Sequence, residues 1–366
     1  MKKLLLGATA FAMFATAAPT ATYAAVKEEE PVTDPRLEYF AKDMMNHWAT
    51  PTMIDLVQAD VLKGYEENGE RFIKPEGKVT RAEFVAILLR AADVKVEASE
   101  NKFEDAKKGD WFYETVATAH KLGIVAGKTE TEFAPNASIT RAEVSAILNR
   151  FFEKTIKFDG ETVAFNDIAE HWAKKDIENM SKAGVVAGYG KEFKPQNDAT
   201  RAEAASLIQR ALHKEQNTLP EAEMLAKKAE AVVNQLKTVA ESEDLAAGEK
   251  FFTEETMGYE AANGKVMIAM LKALFEEKLK MEVTFTGTPK FEVAFASDRY
   301  ASVKVSGLDA EMKIGEGETA ITQKINMDDT LKFRHVNGVW KLYGSVDSYQ
   351  QSADDLFEEA EVEAAE

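Results

Sequence analysis

Apolar positions in the first 215 residues fall into paired, helix-spaced sets that recur three times. One set lies five and eight residues beyond a tryptophan: Met53 and Leu56, Val116 and Ala119, Ile177 and Met180. That spacing returns to one face of a helix. The other set begins just past a threonine: Phe84, Ile87, Leu88 and Ala91, then Val144, Ile147, Leu148 and Phe151, then Ala204, Leu207, Ile208 and Ala211. Each set is a single helical stripe. From Pro220 the pattern changes. Leu225, Ala229, Val232, Leu236 and Val239 predict a core-facing helix over 221–241, followed by a short helix near 248–256 and a longer one over about 265–280. The period then drops to two, at Val283/Phe285, Phe291/Val293/Phe295, Ala301/Val303/Val305, Met312/Ile314, Ile321/Ile325 and Leu331/Phe333. These are strands, and Asn337-Gly338 between Phe333 and Trp340 predicts a tight hairpin. Helices followed by an antiparallel meander make an α+β domain over 220–350.

The first half is organised by repetition. Thr-Arg-Ala-Glu stands at 80–83, 140–143 and 200–203, a spacing of 60 both times. Trp48, Trp111 and Trp172 each precede a glycine, Gly64, Gly127 or Gly188, by 16 residues. Asp43, Asp105 and Asp167 stand before the tryptophans, and a phenylalanine precedes a proline in each loop (Phe72 and Pro75, Phe133 and Pro135, Phe193 and Pro195). The copies run over 36–92, 99–152 and 161–213, each as helix-loop-helix. Thr80/Glu83, Thr140/Glu143 and Thr200/Glu203 form capping boxes that start the second helices. Val79 with Phe84, and Ile139 with Val144, form hydrophobic staples that Ala199 and Ala204 weaken in copy three. The glycines fit a helix C-terminus or tight turn. One helix pair cannot bury its stripe alone, so the expectation is an all-α module of three repeats packed as a pseudo-trimer.

Capping explains the threonine and glutamate and leaves the arginine unexplained. A cation at the first helical position opposes the helix dipole, yet Arg81, Arg141 and Arg201 all stand there. One reading is an exposed or ion-paired arginine. The other is an anion site, in which free N–H groups at the helix start and a bidentate guanidinium take a carboxylate or phosphate. Arg90, Arg150 and Arg210, further along the same helices, read as ordinary surface or ion-pair residues. The tryptophans read either as core or as exposed rings that stack on a sugar. The aspartates read either as helix caps or as acceptors for sugar hydroxyls.

Charge and composition narrow the field. The chain has 366 residues, 45 basic against 63 acidic, for a net charge of -18, which argues against nucleic acid and against simple adhesion to anionic lipid. Cysteine is absent, which removes disulfides, thiolate metal sites and cysteine nucleophiles. Lys2 and Lys3, the apolar run from Leu4 to about Ala18 and Thr22-Tyr23-Ala24 make residues 1–24 a cleavable secretory signal. Residues 353–366 are acidic and alanine-rich, and read as a disordered tail. Motifs of hydrolytic or phosphate chemistry do not stand out: Ser99 and Lys102 match Ser-x-x-Lys without partner motifs, and His335 on a strand reads as structural. No cofactor and no metal is expected.

The order Phe165-Asn166-Asp167, His171-Trp172, Gly184, Gly188, Phe193, Pro195 and Thr200-Arg201-Ala202-Glu203, repeated in the earlier copies, resembles an S-layer homology repeat. The resemblance covers about residues 36–213. It implies a pseudo-trimeric module that anchors exported proteins non-covalently to the Gram-positive cell wall. It also implies grooves between repeats that hold a secondary cell-wall polysaccharide, often pyruvylated, with S-layer neighbours as further partners. Carried over by motif, the ligand contacts are Arg81, Arg141 and Arg201, with Asp43, Asp105, Asp167, Trp48, Trp111, Trp172 and backbone near Gly64, Gly127 and Gly188. Copy one departs from the pattern, with Ala41 in place of Phe103 and Phe165 and Asp60 in place of Gly123 and Gly184. Copy two lacks the histidine before its tryptophan. The segment Phe333 to Tyr343 is similar to the last hairpin of NTF2-like domains, which implies a helix-lined concave pocket. The expectation is a non-catalytic surface protein displaying its C-terminal domain. The alternatives are a wall-anchored hydrolase with its active site in that domain, and a lattice-forming subunit.

Overall fold

The computed structural model describes residues 34–242, 244–315 and 320–346. The expected leader, 1–24, and the acidic tail, 353–366, lie outside the described residues. Two short 3-10 turns, Pro35–Tyr39 and Lys42–Met44, lead into the first repeat. Each repeat supplies two helices: α1 (Thr50–Gln58) and α2 (Arg81–Ala91), α3 (Tyr113–Lys121) and α4 (Arg141–Phe152), α5 (Lys174–Lys182) and α6 (Arg201–Lys214). All three capping boxes form, with each threonine oxygen accepting from the glutamate N–H and each glutamate accepting in return. Copy one also contains a strand pair, β1 (Tyr65–Glu67) and β2 (Glu70–Phe72), in its longer loop, so an all-α description is too simple. Ile73, not Phe72, takes the buried place that Phe133 and Phe193 hold in the other loops.

The repeats are joined head to tail in a ring. The first helix of each copy packs on the second helix of the copy before it: α3 on α2, α5 on α4, and α1 on α6. At the centre the staple residues bond in a cycle. Val79 donates its N–H to Ala199 O, Ala199 to Ile139 O and Ile139 to Val79 O, at 3.2, 2.9 and 3.0 Å. The alanine that weakened the third staple is fully buried in this cycle, where a small side chain suits a point of close backbone approach.

Three helices follow, α7 (Ala222–Ser242), α8 (Leu245–Glu254) and α9 (Gly258–Glu276). The sheet comprises β3 (Met281–Ala296), β4 (Tyr300–Ile314), β5 (Ile321–Asn326), β6 (Asp329–Val336) and β7 (Val339–Ser345). It is antiparallel, ordered β3-β4-β6-β7, with β5 paired to the far half of β4. The period-two segments expected as separate strands merge into two long ones, β3 and β4, whose register shifts between Gly287 and Lys290. Asn337 and Gly338 turn the last hairpin with φ of 49° and 81°, as a two-residue turn with both residues left-handed requires. One apolar core joins α7, α8 and α9 to the sheet through Val232, Phe252, Met267, Val303, Leu331 and Phe333.

The two parts meet over the ends of α1 and α2. The Arg334 guanidinium donates to Ala59 O at 2.7 Å and also to Arg90 O. The Tyr300 hydroxyl donates to Ala91 O at 2.9 Å, and Arg299 donates to Ala92 O at 2.7 Å. These carbonyls lie at the C-terminal ends of two helices, where cations and donors are favoured. Tyr259, Tyr300 and Tyr343 enter the core of the repeats itself.

Candidate functional site

The arginines of the tetrapeptide are buried and bonded within the protein. Arg81 Nε donates to Phe133 O at 2.8 Å, Arg141 Nε to Phe193 O at 3.0 Å and Arg201 Nε to Ile73 O at 2.8 Å. Their outer nitrogens donate to Ala126 O, Ala187 O and Lys63 O. Each also meets the capping glutamate of the next repeat: Arg81 with Glu143 at 2.9 Å, Arg141 with Glu203 at 3.4 Å, Arg201 with Glu83 at 3.7 Å. The anion each arginine faces in the fold is therefore a neighbour's carboxylate. Burial would raise the Glu83 and Glu143 carboxyls, but Tyr65 and Lys128 respectively, with the cap N–H groups and the arginines, outweigh it and hold both below the ordinary range.

The helix starts are equally occupied. Arg81 N and Ala82 N donate to Ala137 O and Pro135 O, Arg141 N and Ala142 N to Asn197 O and Pro195 O, and Arg201 N and Ala202 N to Gly77 O and Pro75 O. The free N–H groups that the dipole argument assumed are taken by the loop of the adjacent repeat. The arginine is tolerated at the first helical position because the local dipole is one term among several. A buried carboxylate and two carbonyls offset it.

The aspartates hold the same loops from the other side. Asp43 accepts from Ile73 N and Lys74 N, Asp105 from Phe133 N and Ala134 N, and Asp167 from Phe193 N and Lys194 N, all between 2.6 and 2.9 Å. Lys74, Ala134 and Lys194 are left-handed, with φ of 55°, 58° and 59°. The paired carboxylate bonds stabilise that turn, and the turn presents the carbonyl that the arginine reads. Gly64, Gly127 and Gly188 do not end helices; Gly123, Gly184 and Asp60 do, in the left-handed conformation. The motif glycines are there for space. A Cβ on Gly188 would lie 2.3 Å from the Phe165 ring, and one on Gly127 would lie 2.2 Å from Thr129 O.

The tryptophans are the exposed members of the set. Trp48, Trp111 and Trp172 have 60%, 62% and 61% of their surface open to solvent, so the core reading fails for all three. A cleft of about 510 Å³ brings together Trp48 and Lys78 of copy one, Arg141 of copy two, and Gly188, Tyr189 and Arg210 of copy three. Three of the sequence-nominated residues thus meet from three different repeats. Sequence reasoning missed Lys78, Tyr189 and Arg210. Lys78 and Arg210 are exposed cations at the cleft, and the Tyr189 hydroxyl donates to Glu203 at 2.8 Å while its ring lies 5.0 Å from the Arg141 guanidinium. One signal was available: the positions matching Lys78 are Ser138 and Asp198.

The S-layer homology domain family model matches residues 42–85, 102–145 and 164–205. The chain carries three S-layer homology repeats. It is similar to the exoglucanase XynX of Acetivibrio thermocellus, 34% identical over 181 residues, which is 48% of this chain and 16% of that protein. It is similar to the cellulosome-anchoring protein of the same organism, 34% identical over 164 residues, 43% of this chain and 36% of that protein. It also resembles the surface-layer 125 kDa protein of Lysinibacillus sphaericus, 32% identical over 171 residues, 45% of this chain and 14% of that protein. The chain thus spans about a third or less of each of these relatives. S-layer homology repeats anchor proteins to the cell wall by binding its polysaccharide, and that anchoring is not catalysis. Among the described residues no helix is long and apolar enough to cross a membrane.

Proposed function

We propose that the repeats over 36–92, 99–152 and 161–213 form a pseudo-threefold bundle that holds this protein to the wall of a Gram-positive cell through a pyruvylated secondary cell-wall polysaccharide. The C-terminal domain over 220–350 is displayed by that anchor. The observation that carries this reading is the exposed Trp48 ring in the wall of an inter-repeat cleft that also presents Lys78 and Arg210. A flat aromatic face stacks on the apolar face of a sugar ring, and the two cations suit a pyruvate carboxylate. The chain is acidic overall, so local cations in a groove, not the net field, must attract an anionic polymer. Arg141 contributes from the floor of the cleft, where its guanidinium is already braced. In the equivalent places, Arg81 and Arg201 would serve clefts headed by Trp172 and Trp111. Asp43, Asp105, Asp167, Gly64, Gly127 and Gly188 shape the loops that form the clefts.

The test is co-sedimentation of the full chain with purified wall sacculi, intact, stripped of polysaccharide, or enzymatically depyruvylated. Binding to intact sacculi and release from both treated forms is the expected result. Undiminished retention on stripped peptidoglycan refutes the assignment, and equal binding to the depyruvylated wall refutes the pyruvate.

A further inference from the structure

The three junctions between repeats are alike in backbone and differ at two facing positions. Seven residues past the tryptophans stand Asp55, Thr118 and Asn179, and nine residues past the capping threonines stand Leu89, Asn149 and Gln209. At the α4–α5 junction the pairing is completed within the repeats: Asn149 donates to the half-buried Asp176 carboxylate at 2.7 Å and accepts from Asn179 at 3.1 Å. The α1–α6 junction carries the buried carboxylate of Asp55, and the repeats answer only one of its oxygens. Asp55 Oδ2 accepts from Gln209 Nε2 at 2.6 Å, and Gln209 Oε1 accepts from Thr52 at 2.7 Å. The other oxygen, Oδ1, faces out of the repeats. There it accepts from the Tyr343 hydroxyl at 2.9 Å and lies 3.0 Å from Lys332 Nζ.

Both donors belong to the C-terminal sheet, on β7 and β6. Burying a lone carboxylate is unfavourable by several kcal/mol unless it is paired and bonded. The α1–α6 junction is therefore incomplete without the C-terminal domain, in a way that the α4–α5 junction is not. This is also the junction that frames the cleft. Trp48 stands two residues before α1, and Arg210 follows Gln209 directly on α6.

Resting on the polysaccharide reading above, we infer that the C-terminal domain is a positioning element of the wall-binding site. Tyr343 and Lys332 fix Asp55, Asp55 fixes Gln209, and this chain sets α1 and α6, and with them Trp48 and Arg210, at the separation the glycan requires. Tyr343, Lys332, Asp55 and Gln209 are positioning residues; none touches the sugar. The cleft at Trp48 is coupled to the displayed domain, and the cleft at Trp172 is independent of it.

Tyr343→Phe tests this in the full chain, because it removes one donor and keeps the ring. Affinity for intact sacculi should weaken about fivefold, a size typical of coupling between sites. The loss should vanish when Trp48→Phe is already present and persist in full beside Trp172→Phe. Gln209→Ala, which breaks the chain from the repeat side, should show the same dependence. Amide exchange on the free protein gives a readout that needs no ligand: in Tyr343→Phe, α1 and α6 should exchange faster while α5 does not change. Unchanged protection of α1 and α6 overturns the proposal, as does a Tyr343→Phe loss that adds in full to Trp48→Phe. Failure of the parent protein to bind sacculi would instead defeat the polysaccharide reading, and the exchange comparison would still decide the coupling.

Discussion

Replacing Arg141 by alanine separates two roles that one residue can have. Its side chain is 7% exposed and makes bonds of 3.0 Å to Phe193 O and 2.7 Å to Ala187 O, with Glu203 at 3.4 Å. Truncation leaves two carbonyls short of a donor, at about 1–3 kcal/mol for each buried group left unsatisfied. It also removes a cation from the Phe193 and Tyr189 rings, worth roughly 0.5–1 kcal/mol apiece. Part of each term is recovered by water entering from the cleft side, so a total of about 3–5 kcal/mol is expected, in line with breaking a buried charge pair. At about 2–4 °C per kcal/mol for a unit the size of the three repeats, melting should fall by roughly 10 °C. Trp48→Ala should do the opposite, because its ring is open to solvent: melting within about 1 °C of the parent, and loss of wall binding. The assay is calorimetry beside sacculus binding, with binding measured well below both melting points. If Arg141→Ala melts with the parent protein and yet releases the wall, the arginine is a ligand grip and the bracing argument is wrong.

Three further outcomes follow from the geometry. Lys78→Ala should weaken wall binding about threefold at low salt, with the deficit shrinking as salt rises, since an exposed cation acts through a screened field; a deficit indifferent to salt would count against it. Gly258→Ala should destabilise by about 2–4 kcal/mol, because φ is 56° and a Cβ would lie 1.9 Å from Gln58 O across the junction of the two parts. Gly190→Ala, with φ of 67° but open space around it, is the control and should lose only about 1 kcal/mol in thermal melting. His213 is held below its ordinary 6.5 by burial and by Lys332, against the pull of Asp55. The unfolded chain therefore takes up a proton below about pH 6.5 that the folded chain resists, so this histidine's contribution to stability is lost as pH falls. Glu215, raised by burial, acts in the opposite sense above 4.5, so the comparison must be with His213→Phe. The melting difference should move in favour of that variant between pH 7.5 and 5.5, and a constant difference would show that His213 does not titrate there.

The helices, capping boxes and last hairpin were legible in the sequence because each depends on neighbours within a few residues. Thr80 and Glu83 specify a helix start wherever they occur, and Asn337-Gly338 specifies a turn. The environments of the motif side chains were not legible, because they depend on residues about 50 to 130 positions away. The arginine's oddity against the helix dipole was a correct observation, but the sequence could not say that Glu143 would sit 2.9 Å from Arg81. The tryptophans stayed open between core and sugar platform for a related reason. A large ring at a helix start is usually buried, and only the packed ring of repeats shows that each first helix turns Met53, Val116 or Ile177 inward and leaves the tryptophan outside. The segments merge because the ladder carries on through irregularities that interrupt the period of two: Gly287 to Lys290 is a register shift within the β3–β4 pairing, and Gly307 on β4 lies opposite it, beside Leu308.

Sequence repetition does not make the three clefts equal. The backbone cycle at the staples and the arginine and aspartate bonds to the loops recur at all three junctions, so they can build a frame but cannot distinguish one junction from another. Distinction comes from the positions that the motif leaves unspecified. Lys78 against Ser138 and Asp198 adds a cation to one loop, Tyr189 against Lys128 changes what lies over the arginine, and Asp55 against Thr118 and Asn179 places a charge where the C-terminal sheet can answer it. Two of these changes, Lys78 and Asp55, belong to copy one, the copy furthest from the family pattern. Its departures, read in isolation, suggest a decayed repeat. The structure gives them a different meaning: copy one is the repeat on which the C-terminal domain is seated, through Arg334 and Tyr300 at the ends of α1 and α2. A repeat that must accept a second domain on one side cannot keep the consensus on that side, and the added contacts give it what the consensus does not supply.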